Sequence, residues 1–385
     1  MSVQVKRRRE AASFLGGFVG APAELVVDTT NNRVQVHDGA TPGGWPAAKL
    51  ADVPGFAAGF VNKFGNGAMA VAQHGTAGTV AAGSTAATLD RWFVAATGAA
   101  CAWSQPYGAN IAGHALRLGA ATGLTAVTLQ QRVESLVAAA MLTAAGAAQA
   151  ITVQFAVYNA SGASLTAQLA TGYATSQDNF GAITTDLAAT NLQTIANGAF
   201  GVLAYSFVPS ANLKNGYQIQ LLLGGALNAS SGYVDIGRAD VRATPTLGPG
   251  LVGAAPLPEL RPVATELAVC QRYFCKTFPQ GVAPAQNCGT VAGAILYRAQ
   301  YSGPDYAGAP WQFPVVMRAA PTLTYFNPSN ANANWRNISL GADSGPMPVT
   351  ATATSDRVAS PLNLQVTGDL AGNFFVIHAT ASAEL

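Results

Sequence analysis

The sequence predicts an all-β protein built from a short N-terminal hairpin module, a central β-sandwich and a C-terminal β-sandwich tip. Three observations lead there. Charged residues are 10% of the 385 positions against 50% hydrophobic, with 41 Gly and 21 Pro, so the surface is made of short side chains and the chain is punctuated by turn formers. Several segments alternate apolar with polar residues, as Ile151, Val153, Phe155 and Val157 do against Thr152 and Gln154, which is the period of a half-buried antiparallel strand. A Pro- and Gly-rich stretch, 245–262, then separates two such regions, and a chain of this length can bury more than one core.

The first element is a hairpin. Residues 26–28 and 34–37 are short extended runs around Thr29-Thr30-Asn31-Asn32, and Asp38-Gly39 with Pro42-Gly43-Gly44 closes the second run. Residues 1–52 contain few large apolar side chains, and a lone two-stranded hairpin is marginal in water. The missing core therefore has to come from further copies of the chain or from a partner.

The run Ala23-Glu24-Leu25-Val26-Val27-Asp28-Thr29-Thr30, followed by Arg33 and then His37-Asp38-Gly39-Ala40-Thr41-Pro42-Gly43-Gly44-Trp45, resembles the N-terminal module of bacteriophage tail fibres and of the phage tropism-determinant proteins. The resemblance implies that three copies intertwine to fasten a fibre to the virion. It puts Glu24, Asp28, Arg33, Asp38, Gly39 and Trp45 in the attachment and trimer module. Two positions depart from the pattern: Ala23 and His37 stand where Gly is usual, and at His37 a positive φ is less comfortable for a side chain.

A second module is expected over 64–244, with strands near 128–136, 150–158, 202–208, 217–223 and 233–241. Residues 137–150 are rich in Ala, the best helix former, but carry no 3.6-residue stripe and are interrupted by Gly146; they read as strand, loop, strand. Asp90-Arg91-Trp92, Gln130-Gln131-Arg132-Val133-Glu134 and Tyr233-Val234-Asp235-Ile236 in this order resemble the carbohydrate-binding-module-like jelly roll of phage tail proteins. Trp92 reads as a core aromatic rather than a sugar platform.

Residues 245–262 read as a semi-rigid linker, since their prolines cannot pair within a central strand. The tip, 263–385, opens on Glu266-Leu267-Ala268-Val269-Cys270-Gln271-Arg272-Tyr273-Phe274, contains Phe313-Pro314-Val315-Val316-Met317-Arg318 and closes on Thr380-Ala381-Ser382-Ala383-Glu384-Leu385. These segments resemble a C-terminal domain found in many phage tail and tail-associated proteins.

Composition and motifs argue against most chemistry. A net charge of +2, with one basic run at Lys6-Arg7-Arg8-Arg9, predicts no nucleic-acid partner. That run opens no export signal, because residues 10–20 are short and broken by Gly16, Gly17 and Gly20. The most apolar stretch, 136–158, holds Thr143, Gln149, Thr152 and Gln154, so no membrane insertion is expected. Cys101, Cys270, Cys275 and Cys288 have neither zinc-site spacing nor the density of a disulfide scaffold and read as free thiols. His37, His74, His114 and His378 are far apart, which predicts no metal and no cofactor. Asp305, Asp343, Asp356, Asp369 and Glu384 are scattered and read as turn formers and solvated carboxylates rather than a glycosidase pair. No catalytic residue is assigned.

The distal region does gather aromatics and amides. Tyr306, Trp311, Tyr325, Trp335 and Asn337 are candidates for binding a glycan, with sugar faces stacked on rings and hydroxyls taken by amides; Trp335, in the polar loop 327–337, reads as the exposed one. The chain is thus expected to be a homotrimeric virion fibre or spike, assembled in the host cytoplasm. It would bind other virion proteins through its N-terminus and a host-surface polysaccharide through its distal β-domains. The alternatives are a purely structural head or tail decoration and a capsule-depolymerising tailspike.

Overall fold

The computed structural model describes residues 8–47, 60–108, 110–299, 310–343, 355–359 and 371–385. Strand accounts for 42% of the described residues and helix for 7%, so the class is all-β as the alternation and turn residues imply. Two compact units divide the chain, residues 1–61 and 62–385.

In the first unit, β1 (Arg9–Glu10), β2 (Leu25–Asp28), β3 (Arg33–Val36) and β4 (Trp45–Pro46) form one sheet in that order, with the one-turn helix α1 (Ala12–Leu15) between β1 and β2. The β2–β3 hairpin pairs Leu25 with Val36 and Asp28 with Arg33, as the turn residues Thr29-Thr30-Asn31-Asn32 require. Leu15 and Val26 are its fully buried apolar side chains among the described residues. Positive φ falls on Ala23, at 66°, and not on His37. His37 instead sits buried, accepting the Gly20 amide hydrogen on Nδ1 at 3.1 Å, and a Cβ on Gly20 would come within 2.6 Å of its ring.

The second unit opens on a sandwich. Its strands are β5 (Ala77–Val80), β6 (Ser84–Ala87), β7 (Phe93–Thr97), β8 (Cys101–Ser104), β9 (Leu116–Gly119), β10 (Ala126–Val133), β11 (Ile151–Ala160), β12 (Leu165–Ser176), β13 (Asn179–Ile195), β14 (Ala199–Phe207), β15 (Tyr217–Gly224), β16 (Tyr233–Ala243) and β17 (Gly250–Leu251). One sheet runs β13-β12-β15-β10-β7-β6 and the other β17-β14-β11-β16-β9-β8-β5. Their inner faces share one core, in which Trp92, Phe64 and Phe155 meet with centroids 5.0–6.2 Å apart. Trp92 is core, as expected, and its Nε1 donates to Asn66 O at 2.9 Å.

Two expectations for this region are corrected. Residues 137–150 are not strand, loop, strand: α2 (Ser135–Ala139) reaches into them and turns follow, so the helix propensity of Ala prevails only over the first three positions. Nor is β11 half-buried. Thr152 and Gln154, on its outer face, are buried too, because Thr152 Oγ1 bonds Thr244 Oγ1 at 2.7 Å and Gln154 Nε2 donates to Pro256 O at 2.7 Å. The proline-rich stretch thus runs back along the sheet, and its Gly250–Leu251 strand pairs with β14 to become the edge of the sheet.

After α3 (Val263–Gln271) come β18 (Phe274–Lys276), β19 (Ile295–Arg298), β20 (Trp311–Gln312), β21 (Thr322–Phe326), β22 (Arg336–Asn337), β23 (Ala342–Asp343), β24 (Val358–Ala359) and β25 (Phe374–Ser382). The last strand is the organiser: β18 and β21 pair with one half of it and β19 and β22 with the other. A separate core lies beneath, including Trp335, Phe375 and Ile377.

The segments singled out in the sequence of this unit converge where the two cores meet. Arg91 lies 3.6 Å from the Tyr273 ring centroid and pairs with Glu384. Arg91 Nη2 donates to Arg132 O at 2.6 Å, and Arg132 Nη1 to Leu385 O at 2.7 Å. Glu266 accepts the Asn66 amide at 2.6 Å and both contacts of Arg261 Nη1, at 3.0 and 3.2 Å. Such a buried charge set holds only because each member is matched.

Candidate functional site

The N-terminal module is built from two capped turns. Asp28 Oδ1 accepts the Thr30 and Asn31 amides at 2.9 and 3.0 Å, and Oδ2 accepts Asn31 Nδ2 at 2.8 Å. The Asn31 side chain is the main reason this carboxyl titrates below its ordinary range. Asp38 does the same for the second turn, accepting from the Ala40 amide at 2.9 Å, from the Thr41 amide and hydroxyl at 2.7 Å each, and from Trp45 Nε1 at 3.1 Å. The Thr41 hydroxyl leads the contacts that hold it well below the usual carboxylate range. Gly39 is at φ 83°, and a Cβ there would strike Pro22 at 2.8 Å. Glu24 takes the Ala21 amide at 2.9 Å, and Arg33 opens β3 opposite Asp28. Arg8 lies 4.1 Å from the Phe18 ring centroid. Lys6 and Arg7 fall outside the described residues.

These turns fix which side of the sheet faces outward. Pairing aligns Leu25 with Val36, Val27 with Val34 and Val36 with Trp45, so all five share a face. Val34 is 38% exposed, Val36 40% and Trp45 63%. Asp38 therefore both closes its turn and holds an exposed indole in one orientation.

The distal candidates are distributed otherwise than expected. Trp335 is fully buried, so the loop aromatic read as exposed is a core residue: the Asn-rich loop folds over it. Tyr325 is buried as well, and burial pushes its hydroxyl far above the ordinary tyrosine value. Asn337 is 2% exposed and caps a turn, accepting the Ser339 and Leu340 amides at 3.0 and 3.1 Å. The other loop amides are also engaged. Asn330 and Asn332 donate to Asp343 Oδ2 at 2.7 and 2.8 Å, and Arg336 Nη1 reaches Oδ1 at 3.2 Å. Burial raises the Asp343 pKa, but Asn332, Asn327, Asn330 and Arg336 together bring it down to about 2. Trp311 is half-buried, edge-on to Phe313 at 5.1 Å, and Tyr306 lies outside the described residues. Of the described members, Trp335 and Tyr325 are buried in the later core and Trp311 packs against it.

Residues 5–41 match the model of the major tropism determinant N-terminal domain. The tail fiber receptor-binding protein of Bordetella phage BPP-1 is 47% identical over 49 residues, which are 13% of this chain and 13% of that protein. Among solved structures, the CBM22-1 xylan-binding domain of Paenibacillus barcinonensis Xyn10C is 13% identical at a TM-score of 0.26, covering 42% of this chain and 96% of that one. The enzymatically active domain of bacteriophage CBA120 tailspike protein 4 is 12% identical at a TM-score of 0.29, covering 47% and 21%. The motif, the two carboxylate-capped turns and the family model agree: over residues 5–41 the chain is similar to the major tropism determinant N-terminal domain.

Proposed function

We propose that this chain is a phage virion fibre or spike protein that docks on the particle by its N-terminal module, assembles as a homotrimer and binds a host-surface glycan through its later β-regions without cleaving it. In this reading residues 1–52 attach and trimerise, 64–244 form the jelly roll, 245–262 connect, and 263–385 form the distal domain. The observation that carries it is the first module itself. It encloses two fully buried apolar side chains among its described residues while turning Val34, Val36 and Trp45 outward. A sheet with so little core gains stability by covering that face with other copies, and threefold closure multiplies weak sugar contacts into avidity.

The test is the mass in solution. The full chain at micromolar concentration should scatter as three times 39.1 kDa, and Val36→Lys, which places a charge on the exposed face, should give the single-chain mass. A wild-type monomer would overturn the assembly. Incubation with bacterial surface polysaccharide should retain the protein on the polymer and release no reducing ends; sustained release would replace this reading with a depolymerase.

A further inference from the structure

We propose that a cavity on the outer face of the seven-stranded sheet binds one carboxylate-bearing sugar unit, with Arg238 gripping the carboxylate and Phe200 receiving the ring. The cavity has a volume of about 350 Å³. Its floor is three adjacent strands, with Gln154 and Ala156 on β11, Phe200 and Val202 on β14 and Arg238 on β16; its roof is the 252–258 stretch.

The placement of Arg238 is a product of strand register. Gln154 pairs with Asp240 and Ala156 with Gly237, which leaves Arg238 and Ala239 together opposite Phe155. This is a β-bulge, the device by which a strand re-aims one side chain. Arg238 takes φ 47° to make it, a left-handed conformation that a side chain disfavours and that persists where the surroundings impose it. The strained residue is thus the one basic residue among those that line the cavity.

That guanidinium is also unmatched. Arg117 pairs with Asp235, Arg242 with Asp240 and Arg261 with Glu266, whereas Arg238 makes no ion pair or hydrogen bond among the described residues and its Nε is buried without a partner. No acidic residue lines the cavity. A planar fork of donors in an uncompensated site suits a carboxylate, which it can bind in two parallel bonds. Beside it Phe200 is 53% exposed, and an exposed ring next to a fixed charge fits a ligand that is ring-shaped, apolar on one face and anionic at one end. The volume lies at the lower end of small-ligand pockets, which suits a single pyranose unit. The inference deepens the proposed glycan binding and rests on it for its biological meaning.

The full chain is titrated with D-glucuronate, D-galacturonate, D-glucose and acetate, with binding followed by saturation-transfer NMR. The uronates should bind, and D-glucose and acetate should bind at least ~10-fold more weakly, as expected for a site that needs both ends of the ligand. Arg238→Gln should weaken the uronates by ~10-fold or more. Arg238→Gly, which relieves the left-handed strain and so keeps the fold, should do the same. Phe200→Ala, at an exposed position, should weaken them several-fold. The pocket assignment is overturned by absent uronate binding, by glucose or acetate binding as tightly as glucuronate, or by unchanged affinity in Arg238→Gln. If the uronates do not bind while the wild type and Arg238→Gln are retained equally on a uronate-free bacterial polysaccharide, the acidic-sugar assignment falls and the receptor reading stands. Uronate binding without retention on any surface polysaccharide has the opposite result.

Discussion

The Tyr273 hydroxyl donates to Glu134 Oε2 at 2.8 Å, while Arg272 Nη2 reaches Oε1 of the same carboxylate at 2.7 Å. Glu134 directly follows β10, and Tyr273 directly precedes β18, so one carboxylate ties the sandwich to the later core. Tyr273 is 5% exposed, and burial pushes its hydroxyl up to about 12, which keeps it a donor at ordinary pH. Glu134→Ala would leave that hydroxyl buried and unmatched, at about 2 kcal/mol. Arg272 adds little to this, because its side chain is 37% exposed. Tyr273→Phe removes donor and need together and should lose about 1 kcal/mol. Urea midpoints decide: Glu134→Ala within 0.5 kcal/mol of wild type, a margin of about measurement error, would mean the carboxylate is not a tie.

Asp90 gives the same junction a pH dependence. Burial pushes its carboxyl up to about 6, against hydrogen bonds from Gln73 that lower it; Glu384 raises it further and Lys276 lowers it. The folded state therefore binds the Asp90 proton more tightly than the unfolded chain does, and stability falls as pH rises from about 4 to about 6. A shift of this size corresponds to about 3 kcal/mol. His74, lowered to about 4 by burial and by Lys276, acts in the opposite direction, gaining stability as pH rises from about 4 to 6.5. The difference between Asp90→Asn and wild type leaves His74 in both proteins. The variant should therefore gain relative stability steadily across that interval in urea titrations, and a pH-independent difference would refute the buried proton.

Ala23 donates its amide hydrogen to His37 O at 2.7 Å while held at φ 66°. A left-handed alanine costs about 1 kcal/mol, part of which Gly returns to the unfolded chain as entropy. Ala23→Gly should still stabilise the module by about 0.5 kcal/mol, read as slower hydrogen exchange at residue 23 and at Thr29, whose amide is bound to Glu10 O. Faster exchange would show that the Ala methyl group contributes packing.

How far the sequence could be read follows the chemistry of each part. The first hairpin was legible because Asp28 and Asp38 cap their turns through local contacts, within three residues. The inner strands of the sandwich were legible because Ile151, Val153, Phe155 and Val157 keep strict alternation. β12 and β13 were not. The second is mostly exposed, its apolar residues Phe180, Ile183, Leu187, Leu192 and Ile195 are unevenly spaced, and its pairing with β12 slips register repeatedly, so no periodicity marks it. The short motifs have a structural role that their sequence does not state. Asp90-Arg91-Trp92, Arg132 to Glu134 and Arg272-Tyr273 bind each other, and nothing local in any of them indicates a partner a hundred or more residues away. Nothing in the sequence marks Arg238, because a bulge and an unmatched guanidinium exist only once the strands are side by side.

Trp335 shows how the same ambiguity acts on a site assignment. An indole flanked by Asn and Ala has the composition of an exposed loop, yet the asparagines bond to Asp343 and to one another, and a loop whose amides are satisfied internally can close over a ring. Trp335→Ala should then lose about 3–5 kcal/mol, the range for emptying a large core site, whereas Trp335→Phe, which keeps most of the apolar volume, should lose less. Trp311→Ala, at a half-buried position, should cost about 1–2 kcal/mol. The two roles separate in one experiment. If Trp335 only supports the core, any loss of glycan retention in Trp335→Ala should track its lowered urea midpoint and be restored in Trp335→Phe. Retention lost at an unchanged midpoint would return the indole to the binding surface.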